Sequence, residues 1–141
     1  MELAKVKKEF EYVRENRRKV ERLREQAEAL RSSCMARSIQ YDKDNIQTSP
    51  EDYQAKAIAK AIDLDTQADM LITSGDKNRS ILTNWMNVCT DEERIVLINH
   101  YFNDMSYREI EYECDDALSD RTYVGAYRYA QSGMKKISEN F

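Results

Sequence analysis

Between residues 120 and 137 four cations, Arg121, Arg128, Lys135 and Lys136, stand against one acid, Asp120. Clustered cations neutralise phosphates, and an arginine can also pair with the edge of a guanine. Ser119, Thr122 and Tyr129 add hydroxyl groups, and Gly125 with Ala126 would permit close approach. Ser119, Arg121, Thr122, Gly125, Arg128, Tyr129, Lys135 and Lys136 are therefore the candidate DNA-binding residues. Other chemistry finds little material. His100 is the only histidine. Neither a Ser/His/Asp set nor a metal-ligand spacing such as C-x-x-C can be assembled around it. A glycine-rich phosphate loop is absent. The reading is no enzyme, no metal site and no cofactor. Cys34, Cys89 and Cys114 are odd in number and far apart, which fits a reducing cytoplasm better than a disulfide framework.

A cationic face needs an element to carry it. Ser119 is expected to cap a final helix reaching about Ser138, with Val124, Tyr127, Ala130, Met134 and Ile137 as its inner stripe. Arg121, Thr122, Gly125, Arg128, Tyr129 and Ser132 then face outward. Two capping boxes precede it. Thr90-Asp-Glu-Glu93 opens a helix to about Phe102, and Ser106-Tyr-Arg-Glu109 opens one to about Cys114. Three capped helices joined by short turns predict a compact helix-turn-helix unit over 90–141.

The preceding residues read as long helices. The chain of 141 residues has three glycines and one proline. Val6, Val13, Val20 and Ala27 recur every seven residues, predicting a helix over 2–33 with Phe10, Leu23 and Leu30 beside the stripe. Glu9 and Asn16 interrupt the seam. Either packing within the chain or an intermolecular coiled coil would use this face. Arg17, Arg18 and Lys19 read as a solvated run. Residues 34–48 lose the period and read as an irregular linker. Ser49-Pro50-Glu51-Asp52 then opens a second helix, which the spacing of Ile72, Gly75, Arg79, Leu82 and Met86 carries on to Val88. The fold class is all-α: long N-terminal helices, coiled-coil-like or a hairpin (1–89), followed by the helix-turn-helix (90–141). No run of apolar residues is long enough for a membrane span. MELAKVKKEF is charged throughout, so no secretory leader is expected.

The net charge of −4 divides unevenly: +3 over residues 1–31, −2 over 32–90 and −5 over 91–141. The basic final helix thus sits in the most acidic third. One copy should bind phosphate weakly, and a dimer or a second protein would compensate.

Residues 90–137 resemble region four of bacterial sigma factors. The resemblance rests on the Thr90-Asp-Glu-Glu opening, Leu97, Tyr101, Met105-Ser-Tyr-Arg-Glu-Ile110 and Ser119 to Thr122. Nearly the whole chain resembles phage and prophage transcriptional regulators of the RinA/ArpU type. That likeness adds LREQAEALR within residues 22–31, Asn45-Ile-Gln-Thr-Ser-Pro50 and Ile62-Asp-Leu64. Glu111 stands where a small residue usually follows the isoleucine, and Asp115-Asp116-Ala117 where the turn usually has a glycine. The resemblance implies a cytoplasmic, sigma-factor-like regulator that binds double-stranded promoter DNA, with RNA polymerase as a further partner and a homodimer formed through the N-terminal helices. The alternative is a helical interaction module whose degenerate helix-turn-helix binds RNA polymerase or another protein.

Overall fold

The computed structural model describes the backbone of residues 1–41 and 50–141, and their side chains except at 35–41, 50, 51 and 115. Among the described residues there are five α-helices: α1 (Leu3–Tyr41), α2 (Pro50–Trp85), α3 (Asp91–Leu97), α4 (Tyr107–Glu113) and α5 (Tyr123–Asn140). The all-α expectation holds, with α1 and α2 as a long helical hairpin ahead of three shorter helices. None is long and apolar enough to cross a membrane.

Helix α1 corrects the expected linker. It runs on to Tyr41 instead of ending near residue 33. Cys34 to Tyr41 contain no glycine or proline, and Met35, Ala36, Arg37 and Gln40 favour helix, so losing the apolar period did not end it. The rest of the expected linker and the Ser49 cap lie outside the described residues. Helix α2 passes through Gly75 unbroken, as expected, and closes in a 3₁₀ turn at Met86–Val88.

The described residues form two compact units, 1–18 with 74–141 and, separately, 19–73. In the first, Val6, Phe10 and Val13 of α1 join Leu82, Met86, Val96, Leu97, Met134 and Ile137 in one buried core. Phe10 meets Tyr101 with ring centroids 5.3 Å apart. Asn16, a flaw in the seam on paper, is buried against Gly75: a methyl there would stand 2.6 Å from Asn16 Nδ2. The Arg17–Arg18 run is not simply solvated. Arg14 Nε and Arg18 Nε donate to the Asp104 carboxylate at 2.7 and 3.0 Å, and Arg17 Nη1 donates to the Phe102 carbonyl at 2.9 Å. These clamp the loop after α3, where Asp104 takes φ 53°. In the second unit Ala27 and Cys34 of α1 face Ala57, Ala61 and Ala68 of α2, and Arg24 pairs with Asp69 and Arg31 with Asp65.

Candidate nucleic-acid interface

Helix α3 starts at its expected cap. Thr90 Oγ1 accepts from the Glu93 N–H, but Glu93 does not reach back to the Thr90 backbone. Its Oε1 takes the Thr90 hydroxyl at 2.9 Å and pairs with Lys136 of α5. Glu93 is 3% exposed, so burial makes this pairing matter. After Leu97 the backbone widens into a π turn over Ile98–Phe102, with the Asn103 N–H bonded to the Ile98 carbonyl. Ser106 caps α4 in the same way as Thr90 caps α3: the Glu109 N–H donates to Ser106 Oγ, and the hydroxyl donates to Glu109 Oε1.

The last helix corrects the expected register. Its cap is Thr122, whose Oγ1 accepts the Gly125 N–H at 3.0 Å; Ser119 instead donates to Glu92 Oε1 at 2.6 Å. Between them Asp120 folds the turn. Its Oδ1 accepts from the Thr122 N–H and hydroxyl, which hold its carboxyl below the usual range, and its own N–H donates to Tyr129 Oη at 3.1 Å. Hydrogen bonds from Ser119 and Tyr129 likewise lower the Glu92 carboxyl. Glu92 of α3 thus ties both the turn and α5.

The later start rotates the expected faces. Val124 and Tyr127, expected inside, are 40% and 49% exposed. The buried stripe is Gly125, Ala126, Ala130, Gly133, Met134 and Ile137, packed on α3 and α4. Gly125, expected to face outward, lies against Asp120: a methyl there would be 2.3 Å from Asp120 Cγ. The period-3.6 run of small residues at 126, 130 and 133 is the signal in the sequence that marks this face.

Of the candidate residues, Arg121, Arg128 and Lys135 are exposed and Thr122 is exposed at the cap. Ser119 and Tyr129 serve the turn, Gly125 serves packing, and Lys136 is engaged by Glu93. Side chains outside the candidate set join the surface. Arg108 stacks its guanidinium 4.9 Å over the Tyr123 ring. Tyr112 is 86% exposed and lines an open groove with Arg108, Glu111 and Arg121. Tyr107 meets Tyr127 edge-on at 5.5 Å. The resulting face is aromatic and cationic, and it runs from α4 across the first two turns of α5.

No family model, curated protein or solved structure matches the chain. The site's chemistry is therefore read from its own side chains. Arginines, tyrosines and a valine on a helix surface can contact phosphates and base edges, or a protein surface rich in carboxylates. Behind the site, His100 is buried. Its Nδ1 lies 2.7 Å from the Met105 carbonyl and must donate there, which leaves Nε2 to accept from Arg14 Nη1 at 3.3 Å. The ring stacks on Tyr107 at 4.0 Å. Burial raises the Cys89 thiol to about 11, so it stays protonated at neutral pH, and it donates to the Gly133 carbonyl.

Proposed function

We propose that this protein is a phage-type transcriptional regulator that binds double-stranded promoter DNA, with α4 and α5 as a helix-turn-helix and α5 as the recognition helix. The observation that carries the reading is the division of α5. Its small-residue face is buried on α3 and α4. The turn into it and its first two turns, from Arg121 to Arg128, present two arginines, Tyr123, Val124 and Tyr127 to solvent. A recognition helix needs that division, because its N-terminal turns must enter the major groove while the opposite face stays packed. The resemblance of residues 90–137 to sigma region four supports the same assignment. The exposed valine adds an apolar group suited to a thymine methyl.

The acidity of residues 91–141 bears on this less than its total suggests. Glu92, Glu93 and Asp120 are hydrogen-bonded within the turn and α3–α5 packing. The test is a mobility shift at low salt against DNA upstream of the adjacent operon, with Arg121→Ala and Arg128→Ala. Each variant should weaken binding by about 1–3 kcal/mol if it touches a base. No shift by the wild type at low salt would sink the reading. A second reading keeps the same surface for a protein such as RNA polymerase. The exposed Tyr112, Tyr123 and Tyr127 with Arg108 favour it, since tyrosine and arginine dominate protein interfaces. Co-purification of polymerase that depends on Tyr112 and Tyr123, without a DNA shift, would select it.

A further inference from the structure

His100, the single histidine of the sequence, lies where three elements meet. From α1, Arg14 Nη1 stands 3.3 Å from its Nε2, and Arg18 is the second cation facing the ring. From the loop after α3, the Met105 carbonyl lies 2.7 Å from Nδ1, and the Asp104 carboxylate also faces the ring. Its own π turn adds Tyr101, edge-on at 4.7 Å. From α4, the Tyr107 ring lies nearly parallel to it, at 12° and 4.0 Å. The contacts continue outward. Tyr107 is hydrogen-bonded to the Tyr101 hydroxyl and meets Tyr127 edge-on at 5.5 Å. Tyr127 is exposed on α5 beside Arg128. A line of packed rings thus joins a buried titratable group to the outer face of α5.

A proton added to His100 breaks its pairing. In the neutral ring Nε2 accepts from Arg14. In the imidazolium both nitrogens donate, so two donors and two positive charges meet at the Arg14 contact. Arg14 is not free to withdraw, because its Nε is bonded to Asp104 at 2.7 Å. Nδ1 stays tied to the Met105 carbonyl in either state. The ring therefore relieves the conflict by turning about Nδ1, which tilts it against the Tyr107 face. Tyr107 is pinned at its hydroxyl, so the tilt passes to the edge that touches Tyr127, and Tyr127 has solvent to move into. We propose that His100 is a positioning residue for the α5 surface: its neutral ring sets Tyr127 through Tyr107, and protonation displaces Tyr127 and weakens DNA binding.

This inference rests on the reading of α5 as the recognition helix. Its sign is opposite to that of plain electrostatics, since a proton adds positive charge and should strengthen phosphate contact. Carboxyls near the network stay ionised in the range where a histidine titrates. Burial works to raise Asp104, but the bonds from Arg18 and Arg14 outweigh it and hold it below the usual range. Asp120 and Glu92 are held low by their hydrogen bonds in the turn.

The test has two arms on the full chain, each between about pH 7 and about pH 5, with circular dichroism as the check on helicity. In the first, without DNA, para-fluorophenylalanine replaces Tyr127. Fluorine NMR follows that ring while proton NMR of the single histidine follows His100. The fluorine resonance should shift with the midpoint of His100, and His100→Gln should abolish the shift. Tyr107→Leu should uncouple the two while His100 still titrates. In the second arm, wild-type affinity for promoter DNA should fall about three- to tenfold on acidification. His100→Gln, whatever its affinity at neutral pH, should lose that fall. A fluorine resonance that stays still while His100 protonates overturns the proposal, as does one that shifts only when helicity is lost. So does a His100 that stays neutral throughout, an affinity that holds or rises on acidification, or an equal fall in His100→Gln. Absence of DNA binding at both pH values overturns the recognition-helix reading and the affinity claim with it. The coupling of His100 to Tyr127 is then decided by the fluorine arm alone.

Discussion

His100 donates from Nδ1 to the Met105 carbonyl and accepts from Arg14, so its place in the fold requires the neutral ring. Burial, then the Arg14 charge, pulls its pKa below the ordinary 6.5; the Met105 carbonyl and Asp104 oppose this, and Arg18 adds to it. A histidine whose folded pKa is depressed binds its proton more readily when unfolded. Stability is therefore full above pH 6.5 and falls as the pH drops from there towards the folded value. Denaturant titrations between pH 7 and 5 should show a slope of at most about 1.4 kcal/mol per pH unit, absent in His100→Gln. An equal slope in that variant would assign it to other groups. Two other residues separate cap from turn. Thr122→Ala should cost about 1 kcal/mol by removing the cap of α5, whereas Ser119→Ala should act through Glu92, so that its cost largely disappears in a Glu92→Gln background while that of Thr122→Ala does not. A Ser119→Ala loss that is unchanged in the Glu92→Gln background would return the cap to Ser119. Gly125→Ala should lower the melting temperature by forcing Asp120 off Thr122, and Asp120→Ala in the same chain should recover part of the loss.

At the scale of elements, caps and heptads were legible and faces were less so. Thr90 and Ser106 announced α3 and α4 because a hydroxyl followed three residues later by a glutamate has a local geometric consequence. Val6, Val13 and Ala27 announced the inner side of α1 for the same reason: a seven-residue period needs no knowledge of the partner. The start of α5 was misplaced because Ser119 and Thr122 are both good caps, and Asp120, Tyr129 and distant Glu92 decide between them. That choice moved Val124 and Tyr127 to the surface and Gly125 to the interior. The sequence does not reveal the pairing of Lys136, because Glu93, its partner, lies on another helix. Asn16 and Gly75 looked like separate defects in α1 and α2, yet each makes room for the other. Gly75→Ala should therefore destabilise the fold, although helix propensity alone favours alanine by about 1 kcal/mol. Asn16→Ala combined with it should restore part of the loss. A Gly75→Ala protein with a higher melting temperature would show that the contact yields freely.

The whole molecule is acidic, and its proposed DNA surface offers four exposed cations per copy, Arg108, Arg121, Arg128 and Lys135. If each meets a phosphate, the logarithm of the binding constant should fall against the logarithm of salt with a slope of roughly −3.6 per copy and twice that for a dimer on two half-sites. A slope near zero in a titration from 50 to 200 mM salt would mean that the contacts are not to phosphate. The compact units also do not follow the chain in order: residues 1–18 share a core with 74–141, while 19–73 lie between them in sequence. This has a consequence for biosynthesis. Phe10 leaves the ribosome long before Tyr101, its ring partner, has been made. The first helical turns must therefore wait, apolar side uncovered, until the core residues of 74–141 have been made. The nascent chain thus carries an exposed Val6–Phe10–Val13 stripe until those partners emerge, which is the sort of segment that chaperones hold. Closing so long a loop is also an entropic toll on refolding.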